Sequence, residues 1–318
     1  MSSGPAAAPP VVSVIIATYN RSQPLRHAIR SVCNSTFSDW EIIVVGDACT
    51  DDTAEVVSSF NDPRIIFINL PSRCGDMSGP HNHVLPLARG KYVAFLNHDD
   101  FYLPGHLAKC VAELDSSGAD LVWVPCAVAH PKADPTGDWP FSFALIGVTS
   151  TFEYSPLALF VASSWVFRRD LASRVGPWRS PATIYVVPSQ DWLFRAWRLG
   201  ATLRFVPSVS VILVQAGGRA GSYARRISAE HDLLAQRLRD DPRCLERILE
   251  EAAVNEARDH FLHERYSPLW SLARRTLLRP VYALLARIGI HPLSLPMAIA
   301  HGRRGGFVRK LRKITGAE

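Results

Sequence analysis

The chain has 318 residues, 47% of them hydrophobic and 20% charged, a balance that fits a soluble globular protein with a sizeable core. No stretch supplies the roughly 18 uncharged apolar residues of a membrane span, and the opening "MSSGPAAAPP" lacks the basic start and long apolar run of a signal peptide. The net charge of +6 is gathered at the C-terminus, where "HGRRGGFVRKLRK" (301 to 313) carries six Arg or Lys and no acid.

Residues 1–10 read as a disordered lead. Four β-rich runs then recur at intervals of roughly 25 residues, the spacing of strand-helix-strand units. They are "VVSVIIATY" (11 to 19), "EIIVVGD" (41 to 47), "RIIFINL" (64 to 70) and "KYVAFLN" (91 to 97). Helices are predicted between them. "SQPLRHAIRSVCNS" (22 to 35) opens on Ser22 as a cap, and "TDDTAEVVSSF" (50 to 60) holds Asp51 and Asp52 in its first turn, where the helix dipole favours acids. Near-continuous Val/Ile runs are strands covered on both faces, so the first hundred residues predict an open, mainly parallel sheet flanked by helices. Ligands on such sheets bind beyond the carboxyl ends of the strands. The clusters "ATYN", "GDACTDD" and "NHDD" should therefore meet on one rim.

After "ADLVWVPCAVA" (119 to 129), a Pro/Gly/Asp/Ser-rich stretch to about 151 reads as a long irregular loop. Ser189 is predicted to cap a helix running to Gly200, which places Gln190 and Asp191 in its first turn. From about Ala224 the chain reads helical. Six cysteines, scattered without any C-x-x-C pair, point to reduced thiols in a cytosol and away from a zinc ribbon.

The adjacent acids Asp99 and Asp100 at the end of an apolar strand need an explanation, because like charges repel and a carboxylate resists burial. Either Asp100 caps a helix starting near Pro104 with Asp99 exposed in the loop, or the pair marks a metal site.

Taken in order, "VSVIIATYNR", "SDWEIIVVGDACTDDT", "ARGKYVAFLNHDD" and "SQDWLFRAWRLG" resemble the motifs of family 2 inverting glycosyltransferases, which have the GT-A fold. The resemblance covers residues 11 to about 215. It implies an α/β, GT-A-like domain over 11–223, with a nucleotide-sugar half (11–110) and an acceptor half (111–223), followed by a helical, basic extension over 224–318. It further implies transfer of a sugar from a nucleotide diphosphate sugar, UDP-linked before dTDP- or GDP-linked, to an acceptor hydroxyl.

By the same resemblance Ala17, Thr18 and Tyr19 line the nucleoside pocket, and Asp47 stands where a D-D-G-S pattern contacts the base. Here Gly46, Ala48 and Cys49 replace the other three residues of that pattern. Asp99 falls on the metal-holding acid of the D-x-D signature, with Mg²⁺ or Mn²⁺ as cofactor. Asn97 replaces the first acid and is left to a ribose hydroxyl, and His98 contacts metal or ribose or is structural. His81 stands where an arginine approaches the phosphates. Asp191 corresponds to the general base, with Gln190 in place of a glutamate. Trp192 is a candidate to stack on a sugar, and Ser163, Ser164 and Trp165 are candidates for the acceptor side. Arg219 and Ser222, in "QAGGRAGSY", suggest a phosphate clamp.

Two rivals stand beside this reading. One is a metal-dependent hydrolase built on His81, His83, His98, Asp99 and Asp100, although His81 and His83 on one helix would point to different faces. The other is a catalytically weakened sugar-nucleotide-binding protein. The expected partners are a nucleotide diphosphate sugar, a glycan or lipid-linked acceptor and, through the basic tail, an anionic membrane surface. No nucleic acid is expected, a homodimer is left open, and the expected location is cytoplasmic, peripheral on the inner face of the membrane.

Overall fold

A computed structural model describes residues 8–132, 139–149, 151–215, 221, 228–266 and 278–315. The four apolar runs form strands β1 (Val12–Thr18), β2 (Trp40–Gly46), β3 (Ile65–Asn69) and β4 (Tyr92–Phe95). Their side chains alternate between two cores. Val12, Val14, Ile16, Ile42 and Val44 face one, and Ile15, Ile43, Val45, Val93 and Phe95 face the other. That two-sided burial is why the runs are unbroken rather than alternating with polar residues.

Helices α1 (Ser22–Cys33) and α4 (His106–Ser117) cover the first face with Leu25, Ile29, Val32, Leu107 and Leu114. The second face is covered by α3 (Ser78–Val84), α5 (Arg169–Val175) and α6 (Pro188–Arg198) through Val84, Leu171, Trp192 and Leu193. The short α2 (Thr53–Ser58) links β2 to β3.

Three further strands complete a seven-stranded sheet: β6 (Leu121–Trp123), β9 (Trp165–Arg168) and β10 (Leu203–Phe205). Its order is β10-β6-β9-β4-β1-β2-β3, with β9 antiparallel to both neighbours and the other pairs parallel. The expected open, mainly parallel sheet flanked by helices is what forms.

A second sheet holds β5 (Asp100–Tyr102), β11 (Val211–Val214), β7 (Cys126–Pro131) and β8 (Phe141–Ile146), in that order. The stretch expected to be irregular thus contains β8, whose Phe141 and Phe143 are buried in a third core with Ile212 and Val214. Cap positions also differ from expectation. Helix α4 begins at His106 after Gly105, so Asp100 caps nothing, and α6 begins at Pro188, whose fixed φ suits the first helical position, so Ser189 lies inside the helix. Ser22 likewise lies inside α1, where its hydroxyl donates to Asp52 at 2.6 Å.

The C-terminal extension packs back on this body. Helix α7 (Ala229–Asp240) lies on α1, and α8 (Cys244–Tyr266) inserts Cys244, Ile248 and Ala252 into the third core. Helices α9 (Arg279–Arg287), α10 (Ser294–His301) and α11 (Gly306–Thr315) follow, anchored where buried His291 meets Phe194 of α6 at 4.8 Å.

Candidate active site

The carboxyl ends of β1, β2 and β4 bring Ala17 to Tyr19, Asp47 and Asn97 to Asp100 to one rim. His98, following β4, reaches across to β1, its Nδ1 lying 3.2 Å from the Ala17 carbonyl. Its ring is almost buried, and desolvation lowers its pKa, so it is a neutral hydrogen-bonding group. Asp99 turns its carboxylate toward the same ring, 3.9 Å from Nε2.

Asp100, by contrast, points inward. Its Oδ2 accepts from Asn97 Nδ2 at 2.8 Å and from Ser163 Oγ at 2.5 Å, and Ser163 Oγ in turn accepts the Asn97 N–H at 3.0 Å. Burial and then the neighbouring Asp99 charge raise the Asp100 pKa well above the usual carboxylate range. The adjacent acids therefore have different fates: one carboxylate stays at the rim, and the other is a buried link between β5 and the turn before β9. Asn97 is spent on the same link.

Asp47 also serves the backbone. Its two oxygens accept the N–H groups of Cys74 at 2.6 Å and Gly75 at 2.7 Å, fixing the loop between β3 and α3. The departures around Asp47 have a steric reason. A Cβ on Gly46 would lie 2.5 Å from Asn69 Oδ1, and that amide pairs with both backbone groups of Cys49, so an acid at position 46 has no room. Beside this loop, the Arg73 guanidinium stacks on the Tyr19 ring at 3.9 Å.

Asp191 sits in the first turn of α6 and is nearly buried. Arg195, one turn on, holds its Oδ2 at 2.9 Å, and Arg179 reaches its Oδ1 at 3.4 Å. The Val175 and Pro177 carbonyls fix Arg195 in turn. Arg179 continues the chain of contacts, because its carbonyl accepts from Ser78 Oγ, and Ser78 is bonded to Asp76 at the end of the loop that Asp47 anchors.

Four expectations are corrected. His81 packs between Phe95 and Trp178 at 4.5 and 4.9 Å, and burial pushes its pKa down to about 3, so it offers no charge to a phosphate. Trp165 and Trp192 are fully buried and stacked at 5.8 Å within the second core, so neither can meet a sugar. Ser163 and Ser164 are buried too, the first on Asp100 and the second on the Val161 carbonyl. His83 is exposed while His81 is buried, which dismantles the histidine cluster of a hydrolase. Arg219 and Ser222 lie outside the described residues.

Sequence reasoning missed the contribution of α7. Ser228 and His231 form a buried pair at 2.6 Å, and His231 Nε2 lies 2.9 Å from the Asp99 carbonyl. Arg21, wholly buried, is close enough to His98 and His231 to disfavour protonation of both. Arg195 was legible as the i+4 partner of Asp191 on a helix. Nothing local marked His231, which lies 132 positions from Asp99.

Residues 13–176 match the model of Glycosyl transferase family 2, and the chain belongs to that family. A stretch of 93 residues, 29% of the chain, is 37% identical to the Escherichia coli UDP-Glc:alpha-D-GlcNAc-diphosphoundecaprenol beta-1,3-glucosyltransferase WfaP, of whose length it covers 37%. The fold is similar to the crystal structure of S. aureus TarS 1-349 in complex with UDP-GlcNAc, with a TM-score of 0.55 at 17% identity over 96% of this chain and 90% of that one. It is also similar to the mannosyltransferase PcManGT from Pyrobaculum calidifontis in complex with GDP-Man and Mn2+, with a TM-score of 0.52 at 20% identity over 98% and 89% of the two chains. These neighbours are glycosyltransferases of the GT-A type, and the fold here is of that class.

Proposed function

We propose that the chain transfers a sugar from a nucleotide diphosphate sugar, UDP-linked, to an acceptor hydroxyl with inversion, in the synthesis of a bacterial-type surface glycan. The observation that carries this reading is the Asp191 carboxylate, gripped by two guanidinium groups and joined through Arg179, Ser78 and Asp76 to the loop on Asp47. A nucleoside at Asp47 and a base at Asp191 would thus be held at a fixed separation, as in-line displacement requires. The relative whose printed name specifies UDP-Glc, and the neighbour bound to UDP-GlcNAc, support the choice of donor.

In this reaction Asp191 takes the proton of the acceptor hydroxyl while the hydroxyl oxygen forms the bond to the anomeric carbon. The bond from that carbon to the diphosphate breaks on the opposite face, and its electron pair leaves with the diphosphate. Among the described residues no group of three His, Cys, Asp or Glu could hold a metal alone. Mg²⁺ and Mn²⁺ sites are commonly completed by substrate phosphates on one or two carboxylates, and the rim carboxylate of Asp99 suits that kind of site. A divalent ion held there with the donor would supply charge neutralisation for the departing diphosphate. The PcManGT complex with Mn2+ favours the same cofactor.

The reading extends to a lipid-linked acceptor at an anionic membrane surface. Helices α9 to α11 expose Leu284, Ile288, Leu295, Ile299, Leu311 and Ile314 beside the exposed Arg309, Lys310 and Lys313. No helix among the described residues is long and apolar enough to cross a membrane, so contact would be peripheral. The test of the donor reading is a thermal-shift panel of UDP-, dTDP- and GDP-sugars with and without Mn²⁺, because a ligand of the folded state raises its melting temperature. A UDP-sugar should stabilise the chain most, and only with the metal. No shift with any nucleotide sugar would sink the reading.

A further inference from the structure

The basic C-terminal helix α11 does not hang free of the catalytic rim. Its inner face carries Arg312, whose guanidinium lies 3.0 to 3.5 Å from where a Cβ on Gly75 would stand. Gly75 is one of the two residues whose N–H groups bind Asp47, so Arg312 crosses directly above the anchored loop. The helix is pinned on the other side of the rim as well. The Gly305 N–H donates to the Ile184 carbonyl at 2.9 Å, and a Cβ on Gly305 would come within 2.8 Å of the Pro181 carbonyl, so only glycine allows this approach. Residues 181 to 184 lie between Arg179, which reaches Asp191, and α6, which carries both Asp191 and Arg195. A third tie runs from the Gly221 N–H to the Ile314 carbonyl at 2.9 Å.

The helix therefore spans from the Asp47 loop to the segment that leads to Asp191. A donor laid between those two carboxylates, as proposed above, has its diphosphate between its nucleoside and its anomeric carbon. Position 81, where the family resemblance places an arginine near the phosphates, holds a neutral buried imidazole instead. We infer that Arg312 is a donor-binding residue whose guanidinium engages the diphosphate, so that the C-terminal helix is a wall of the donor site. The absence of a side chain at Gly75 leaves the guanidinium its space, and a planar fork of N–H donors matches phosphate oxygens. The same helix turns Arg309, Lys310 and Lys313 outward, so its two faces have different tasks.

This inference rests on the nucleotide-sugar reading, and one titration series separates the two. UDP and GDP, each beside its free nucleoside, are titrated calorimetrically in Mn²⁺ buffer into the full-length chain, Arg312→Ala, Arg312→Lys, and Arg30→Ala as a distant exposed charge control. Arg312→Ala should weaken the diphosphate by roughly tenfold or more, the loss of one charge-assisted contact, and leave the nucleoside unchanged. Arg312→Lys should recover part of that loss, and Arg30→Ala should match the unmodified chain. Gly305→Val, which pushes the helix off the Pro181 carbonyl, should reproduce the Arg312→Ala loss. If Arg312→Ala binds diphosphate as tightly as the unmodified chain, or loses nucleoside and diphosphate affinity equally, the inference is overturned while the donor reading stands. If the unmodified chain binds neither diphosphate, both are overturned.

Discussion

The imidazole of His231 on α7 supports the backbone of Asp99, with Nε2 2.9 Å from the Asp99 carbonyl and Nδ1 2.6 Å from Ser228 Oγ. Burial pushes its pKa down to about 4, so the ring is neutral and the carbonyl is satisfied by an Nε2–H donor. The C-terminal extension thereby fixes the residue on which a metal would be held.

Acid should loosen this arrangement. A histidine whose pKa is about 4 in the fold and about 6.5 in the unfolded chain binds protons preferentially when unfolded between those values. Its contribution is therefore fully present above pH 6.5 and is lost as pH falls toward 4. His81 and His106, pushed to about 3, and His291, pushed to about 4, act in the same direction. Urea midpoints should drop steeply from pH 7 to 4.5, and His231→Phe should flatten the slope while costing about 1–3 kcal/mol at pH 7 for the unsatisfied carbonyl. A slope unchanged by His231→Phe would show that this ring is not desolvated.

Asp100 has the opposite sign. With its pKa raised well above 3.8, the fold binds the proton more tightly than the unfolded chain, so this stabilisation is lost as pH rises through the folded value. Asp100→Asn keeps an acceptor for Ser163 and Asn97 and cannot ionise. The variant should match the unmodified chain near pH 5 and melt higher at pH 8. Melting curves at the two pH values decide this, and equal loss at both would mean that the carboxyl proton itself is needed.

Asp99→Ala should abolish Mn²⁺-dependent donor binding while the variant still folds, because the carboxylate, mostly enclosed beside His98, belongs to none of the three apolar cores. Calorimetric titration of a UDP-sugar with and without Mn²⁺ checks it. Metal-dependent binding in the variant would reassign the site.

Asp191→Asn preserves shape and removes the proposed base. Turnover should fall by roughly 10²-fold or more, with the donor KM little changed. A raised KM at normal turnover would make Asp191 a binding residue held by Arg195 and Arg179, and not the base.

The tail predicts salt-sensitive binding to membranes, since each basic residue near an anionic surface contributes on the order of 1 kcal/mol. Full-length protein should co-sediment with vesicles containing anionic lipid at low salt and be released at high salt. A version ending at Ala300 lacks all six basic residues of 301 to 313 and should stay in the supernatant. Equal sedimentation of the two would assign the tail to packing alone.

Strands β1, β2 and β4 were legible because burial on both faces leaves an unbroken apolar signal, and β3, at the sheet edge, because Ile65, Phe67 and Ile68 still pack against the two cores. Strand β5 was not, since three residues opening on an acid carry no period, and Asp100 can enter a strand only because Ser163 and Asn97 meet its carboxyl. Resemblance carried roles to Asp47, Asp99 and Asp191, all of which lie at the rim or on the chain of contacts behind it. It misled at His81, because the ring is enclosed by Phe95 and Trp178, brought together only by the fold. It misled at Trp192 for the same reason, since that ring is stacked on Trp165 inside the second core.

The position of β9 sets the order in which this chain can be assembled. Strand β4 has β1 on one side, but its other neighbour is β9, at 165–168, and β6 depends on β9 as well. While the ribosome is still adding residues 96 to 164, the apolar Tyr92–Phe95 edge has no pairing partner and is open to another nascent chain. A fragment ending before Trp165 would keep that edge for good, so cutting the chain between β4 and β9 should yield aggregates and not a folded half.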